Sequence, residues 1–295
     1  SLKVNADRAL LIDGSDLTVT DSFSALSGGM LTILGGTLNT TGSVLIDGNG
    51  ATSLTGTSIL GSNGAVEIYS DSELTLSGVT LTRNVGDTWI AGGGDLTITE
   101  SSLSVEEDDV NIAHRDGNEW SPFSGDLEIT DSDIDVVGGD LLMTATETAL
   151  LTGSSFTVGD VATLDIDGDL TLVDSEISTK TLDLDTAGSL LWDDLGELEP
   201  EGEYDLLVQD NALINAADTI RFINEVSLNI GGNVEVNAGE NLEVETGEWN
   251  VDGDADLSSG LDLLFTEGAS SLSIDTGENL TLTAGRNLEM AGNFS

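Results

Sequence analysis

The sequence predicts an all-β chain folded as a right-handed parallel β-solenoid (β-helix) with irregular loop insertions, and three observations carry that expectation. Leu, Val and Ile alternate with Thr, Ser, Asp and Glu through almost the whole length, the period of two that marks strands with one buried face. The segment DLTVTDS from Asp16 returns as DLTITESSLSV from Asp95, DLEITDSDIDV from Asp126 and DLTLVDSEIS from Asp169, the self-similarity that repeat architectures leave. Aromatic residues make up only 4% of the 295, so a core falls to aliphatic side chains, which suits thin stacked layers. The hand follows from the general preference of parallel crossovers.

Each repeat reads as strand, corner, strand. Leu17 and Val19, Leu96 and Ile98, Leu127 and Ile129, and Leu170 and Leu172 share one face, while Thr18, Thr97, Glu128 and Thr171 take the other. The acidic-Ser pairs that follow, at Asp21, Glu100, Asp131 and Asp174, fit corners, because short polar side chains there bond to their own backbone. Asn-Gly and Asp-Gly pairs are too few and too unevenly placed for a set of hairpins, which favours parallel coiling. The spacing is uneven: Leu96 to Leu127 is 31 residues, whereas Leu127 to Leu141 is 14.

Insertions are therefore expected, at about 106–125 and 193–204, which hold the two prolines, Pro122 and Pro200, and lack alternation. Asp210–Ile220 has some helical character and reads as a loop or one helical turn on the flank. After about residue 225 the style changes: GGNVEVNA from Gly231 and GENLEVET from Gly239 are eight residues apart, as are GENLTLTA from Gly277 and GRNLEMAG from Gly285. The domain expectation is one elongated solenoid over 1–295, of about 14 coils at roughly 20 residues each.

The last of these segments, GENLTLTAGRNLEMAG, resembles the repeats of filamentous-haemagglutinin adhesins, and the likeness extends over about 231–293. That family's members are bacterial surface proteins exported by two-partner secretion and folded as right-handed β-helices. The resemblance implies a secreted rod without catalytic residues.

Charge narrows the partners. Fifty-five acidic against seven basic residues give a formal charge of -48, which repels phosphate backbones and anionic membranes, so neither nucleic acid nor membrane insertion is expected. Cysteine is absent, and no apolar run approaches the roughly 18 residues of a membrane helix. Solenoid hydrolases need carboxylates in a cleft with cations to handle developing charge. Here the single His114 stands beside Arg115 in the 106–125 insertion and the other cations are scattered, so no enzyme is expected.

Alternate aspartates are the remaining signal. Asp165, Asp167 and Asp169, and Asp252, Asp254 and Asp256, put hard oxygen ligands at a density that suits calcium; Asp131, Asp133 and Asp135 repeat the pattern. None completes an EF-hand loop, since Leu170, Leu257 and Val136 stand where its glycine belongs. No cofactor is required, and calcium is the one ion the pattern suggests. Stacked coils also set like charges side by side, which points to a saline or calcium-rich exterior. Outward Thr pairs, Thr18 with Thr20, Thr97 with Thr99 and Thr281 with Thr283, would form a lattice-binding ladder only if such pairs recurred in consecutive coils, and tens of residues separate them.

The leading functional expectation is a non-catalytic extracellular or cell-surface protein, a subunit or segment of a filament or adhesin that associates with itself end to end and meets surface or matrix glycans. The alternative is a glycan-, ice- or mineral-binding solenoid module; a polysaccharide-cleaving β-helix enzyme ranks last.

Overall fold

The structure, a computed structural model, describes residues 1–61, 63–112, 114–116, 119–121, 125–194, 205–245, 247–266 and 272–291, with backbone only for 114–116 and 119–121. The chain is an all-β parallel β-solenoid of about 12 turns, with no helix among the described residues. One coil shows the plan: Val66–Ser70, Leu74–Ser77 and Thr80–Val85 are three successive strands, each pairing in parallel with its equivalents in the coils before and after. Equivalent positions lie 21 or 22 residues apart, and 31 where an insertion intervenes. A coil slightly longer than 20 residues, together with the insertions, accounts for about 12 turns where about 14 were expected.

Two compact units divide the chain: Ser1–Thr148 with Thr157–Gly159, and Ala149–Phe156 with Asp160–Ser295. In the first, one inward column stacks Ala25, Ile46, Ile68, Ile90, Ile112 and Met143 in register, all buried. In the second, Leu184, Ile214, Val236 and Leu257 form a comparable column. The period-two alternation thus becomes a core one side chain thick, each rung covering the next. The second unit adds an aromatic stack: Trp192 and Phe222 are 6.3 Å apart by ring centroid, and Phe222 meets Trp249 edge-on at 5.2 Å.

The corners explain the acidic-Ser pairs. Glu100, Asp131 and Asp174 have φ of 49°, 49° and 47°, left-handed like Gly56 and Gly78 at the same place in other coils. The serine after each, Ser101, Ser132 or Ser175, is buried, and its Oγ donates to the carbonyl two residues back. That Oγ also accepts the N–H of the equivalent residue one coil earlier, Val79 for Ser101, Ser101 for Ser132 and Ser154 for Ser175. Asp21 is not one of these corners, because Leu17–Val19 lies in a different strand row from Leu96–Thr99, Leu127–Thr130 and Leu170–Val173. The same short motif serves two rows.

Two local expectations change. Asp210–Ile220 contains no helical turn: Ala212–Ala216 is a strand, with Ala212, Ile214 and Ala216 inward, because a parallel partner on each side outweighs the weak helix preference of Ala. In the 106–125 stretch, Val110–Ile112 is a buried strand of the solenoid, and the inserted chain follows it as an antiparallel hairpin, His114–Asp116 with Glu119–Ser121. Residues 195–204 of the other insertion, and the side chains of His114 and Arg115, lie outside what the structure describes. No helix is long and apolar enough to cross a membrane.

Candidate functional site

The aspartates that head the repeats act as inter-coil caps. A side-chain oxygen of Asp16 accepts the Thr37 N–H at 2.9 Å, Asp95 that of Asp126 at 3.2 Å, Asp126 that of Thr148 at 3.1 Å and Asp169 that of Ser189 at 2.8 Å. Asn211, Asn233 and Asp254 do the same for Asn233, Asp254 and Asn279. A carboxylate or amide there satisfies the backbone donor that the next coil brings as it turns into its strand. Asp169 and Asp254, which the sequence pattern suggests as calcium ligands, belong to this series.

The other four are exposed or at bends. Asp252 lies at a bend, and Asp256 faces outward on Ala255–Ser259, between Glu235 and Thr281 in register. Asp165 ends Ser155–Ile166 and Asp167 begins the turn after it. Both border an open groove of about 550 Å3 in the second unit, which Asp185, Asn215 and Asn237 continue. The Ala187 N–H donates to the Ile166 carbonyl, placing Asp185 beside Asp165.

Partial burial, followed by the charges of Asp167, Asp185 and Asp183, raises the Asp165 carboxyl above the usual carboxylate range. Farther along the groove the amides bond to one another: Asn237 Nδ2 donates to Asn215 Oδ1 at 3.1 Å, and Ser258 Oγ donates to Asn237 Oδ1 at 2.5 Å. The surface is a carboxylate patch grading into a hydroxyl and amide ladder. Among the described residues, no three His, Cys, Asp or Glu side chains are grouped to hold a metal ion.

Two coil faces are open. In the last described coil, Leu280–Ala284 and Asn287–Met290 each pair on one side only, and Leu280, Leu288 and Met290 are 41%, 50% and 49% exposed. In the first coil, Leu2–Ala6 and Leu10–Asp13 likewise pair with one neighbour each, and Leu2 is exposed.

Sequence reading missed a further face, the outward side of the middle strand row in the first unit. Thr32, Ser53, Thr75 and Thr97 stand in one file, and Thr55, Ser77, Thr99 and Thr130 in the file beside it, coil after coil. A separation of 21 or 22 residues is one coil, so pairs that look distant in the sequence are adjacent in space. Of the outward pairs visible in the sequence, only Thr97 with Thr99 belongs here; Thr281 and Thr283 stack on Asp256 and Ser258.

No family model matches the chain, and neither a curated protein nor a solved structure matches it.

Proposed function

We propose that this chain is a non-catalytic extracellular structural protein, a subunit or segment of a surface filament or adhesin built by stacking one copy's first coil on another's last. The open coil faces support this reading. In the shared coil register, Leu2 corresponds to Leu280, Val4 to Leu282, Ala6 to Ala284, Leu10 to Leu288 and Ile12 to Met290. A docked copy would continue two strand rows with apolar on apolar and would satisfy the bare strand edges.

Charge favours the same pairing. The first coil holds Lys3 and Arg8, two of only seven cations, so it is the coil on which a second acidic end meets least repulsion. The resemblance of 231–293 to filamentous-haemagglutinin repeats supports a secreted, cell-surface setting, and surface or matrix glycans are the partners such a filament would meet. The carboxylate patch around Asp165 and Asp167 would draw calcium or sodium as diffuse counter-ions in a saline exterior.

Mass distribution against protein concentration tests the reading. The chain is expected to form concentration-dependent linear oligomers, and Leu282→Lys with Leu288→Lys to stop them by placing charge at the joint. A monomer at all concentrations would refute it, as would oligomers indifferent to both substitutions.

A further inference from the structure

We infer that the two hydroxyl files on the first unit form a binding face for a hydrogen-bonded water lattice, that is, for the surface of ice. The face is built by the coil register: Ser53, Thr75 and Thr97 stand beside Thr55, Ser77 and Thr99, an uninterrupted block of six hydroxyls over three coils that Thr32 and Thr130 extend. Leu11 bounds the first file at one end and Glu128 at the other.

Three observations point from this arrangement to that ligand. The first is spacing. Coils repeat at about 4.8 Å along the stack, and the files stand about 6.6 Å apart, two residues along an extended strand. In a tetrahedral water network with O–H···O distances of about 2.8 Å, second-neighbour oxygens are about 4.5 Å apart, so successive rungs drift from such a lattice by only about 1 Å over four coils.

The second is charge. The chain carries 55 acidic residues, yet none stands among the eight positions of the two files. A carboxylate there would hold its own hydration shell against the lattice. The third is availability. These side chains point outward, and none of their hydroxyls has a hydrogen-bond partner among the described residues, so each is free to bond water. The threonine methyl groups beside them confine water between the hydroxyls without competing for its hydrogen bonds.

The composition of the face separates ice from a crystalline polysaccharide. Sugar rings present apolar C–H faces that are met by flat aromatic side chains. None of the four tryptophans stands in either file, and two of them, Trp192 and Trp249, are buried in the other unit. The face offers hydroxyls and methyls alone. This inference is independent of filament assembly, since a single chain carries the complete array.

Ice recrystallisation with the full chain is the test, read as the protein concentration that halves grain growth. The wild type is expected to slow growth and facet single ice crystals, and Thr75→Glu with Thr97→Glu to raise the concentration required by about tenfold or more. Thr75→Val with Thr97→Val, which keeps β-branching and removes only the hydroxyls, should weaken the effect while leaving the unfolding temperature in place. Thr171→Glu, between Leu150 and Leu191 in the second unit's own row, should leave it unchanged. Wild-type protein without effect on ice would overturn the inference. So would an effect that survives both Thr75 and Thr97 substitutions, or retention on microcrystalline cellulose or chitin without retention on ice.

Discussion

Arg83 departs furthest from the pattern around it. It occupies an inward position between Gly61 and Val105 in register, is fully buried, and its Nε, Nη1 and Nη2 have no hydrogen-bond partner among the described residues. Burial lowers its pKa from the usual arginine value, yet a guanidinium still holds its proton at neutral pH. Gly61 gives it room, since a Cβ there would collide with Nη1. Replacing a buried charge by an apolar side chain of similar size commonly stabilises by about 1–4 kcal/mol, so Arg83→Leu is expected to raise the free energy of unfolding by that order in urea titration. An equal loss would show that the guanidinium has a role in the fold.

Asp205 carries a second residue-scale prediction. Burial raises its carboxyl above the usual range, although the Ser227 N–H at 2.6 Å and Ser227 Oγ at 2.8 Å donate to it. A raised folded pKa means that the folded chain keeps a proton the unfolded chain has already released. Stability from this group is therefore full below the usual carboxylate range and falls as pH rises through the folded value. Asp205→Asn should remove that fall, leaving the variant relatively more stable at pH 7 than at pH 3.5. Parallel pH–stability curves for the two proteins would contradict it.

At the scale of the element, the corner is the unit that sets the coil. A left-handed residue turns the chain, and the buried serine ties each corner to its equivalent one coil earlier. Ser132→Ala leaves the buried Ser101 N–H without its acceptor at 3.1 Å and should cost about 1–3 kcal/mol by denaturant unfolding. Ser104→Ala, on the strand between the two corners and only partly buried, is the comparison and should cost less.

Strands and corners are legible in the sequence because both are local: alternation fixes which side of Leu96–Thr99 faces in, and the acidic-Ser pair fixes where the chain turns. Stacking is not, because the partner of Thr75 is Thr97, one full coil away, and an insertion changes that interval from 22 to 31 without altering the strand itself. The hydroxyl files, the capping role of Asp95 and Asp169, and the joint partners of Leu280 and Leu288 exist only once register is known. Asp210–Ile220 reads as helical because its alanines have high helix propensity, and only neighbouring coils supply the strand partners that override it.

For the whole molecule, charge sets the conditions under which the fold and its assembly are stable. Stacking places carboxylates side by side, as with Glu235 and Asp256, and each pair at about 4.8 Å costs roughly 0.9 kcal/mol even at the dielectric of water. Cations offset only part of this: Lys180 pairs with Asp160 and Arg221 with Glu243, each across one coil step. Raising salt from 0.01 M to 1 M shortens the Debye length from about 30 Å to about 3 Å, so the unfolding temperature should rise over that range. Calcium should act at lower concentration than sodium. A salt-independent unfolding temperature would contradict this account of the acidic surface.

The same screening governs assembly, since two acidic chains must approach before their open coils can meet. Electron microscopy of the purified chain at low and high salt, with and without calcium, tests that claim most directly. The account predicts linear filaments that appear as salt or calcium is added and that the Leu282→Lys, Leu288→Lys chain fails to form; single particles under every condition, at concentrations where the wild type remains folded, would contradict it.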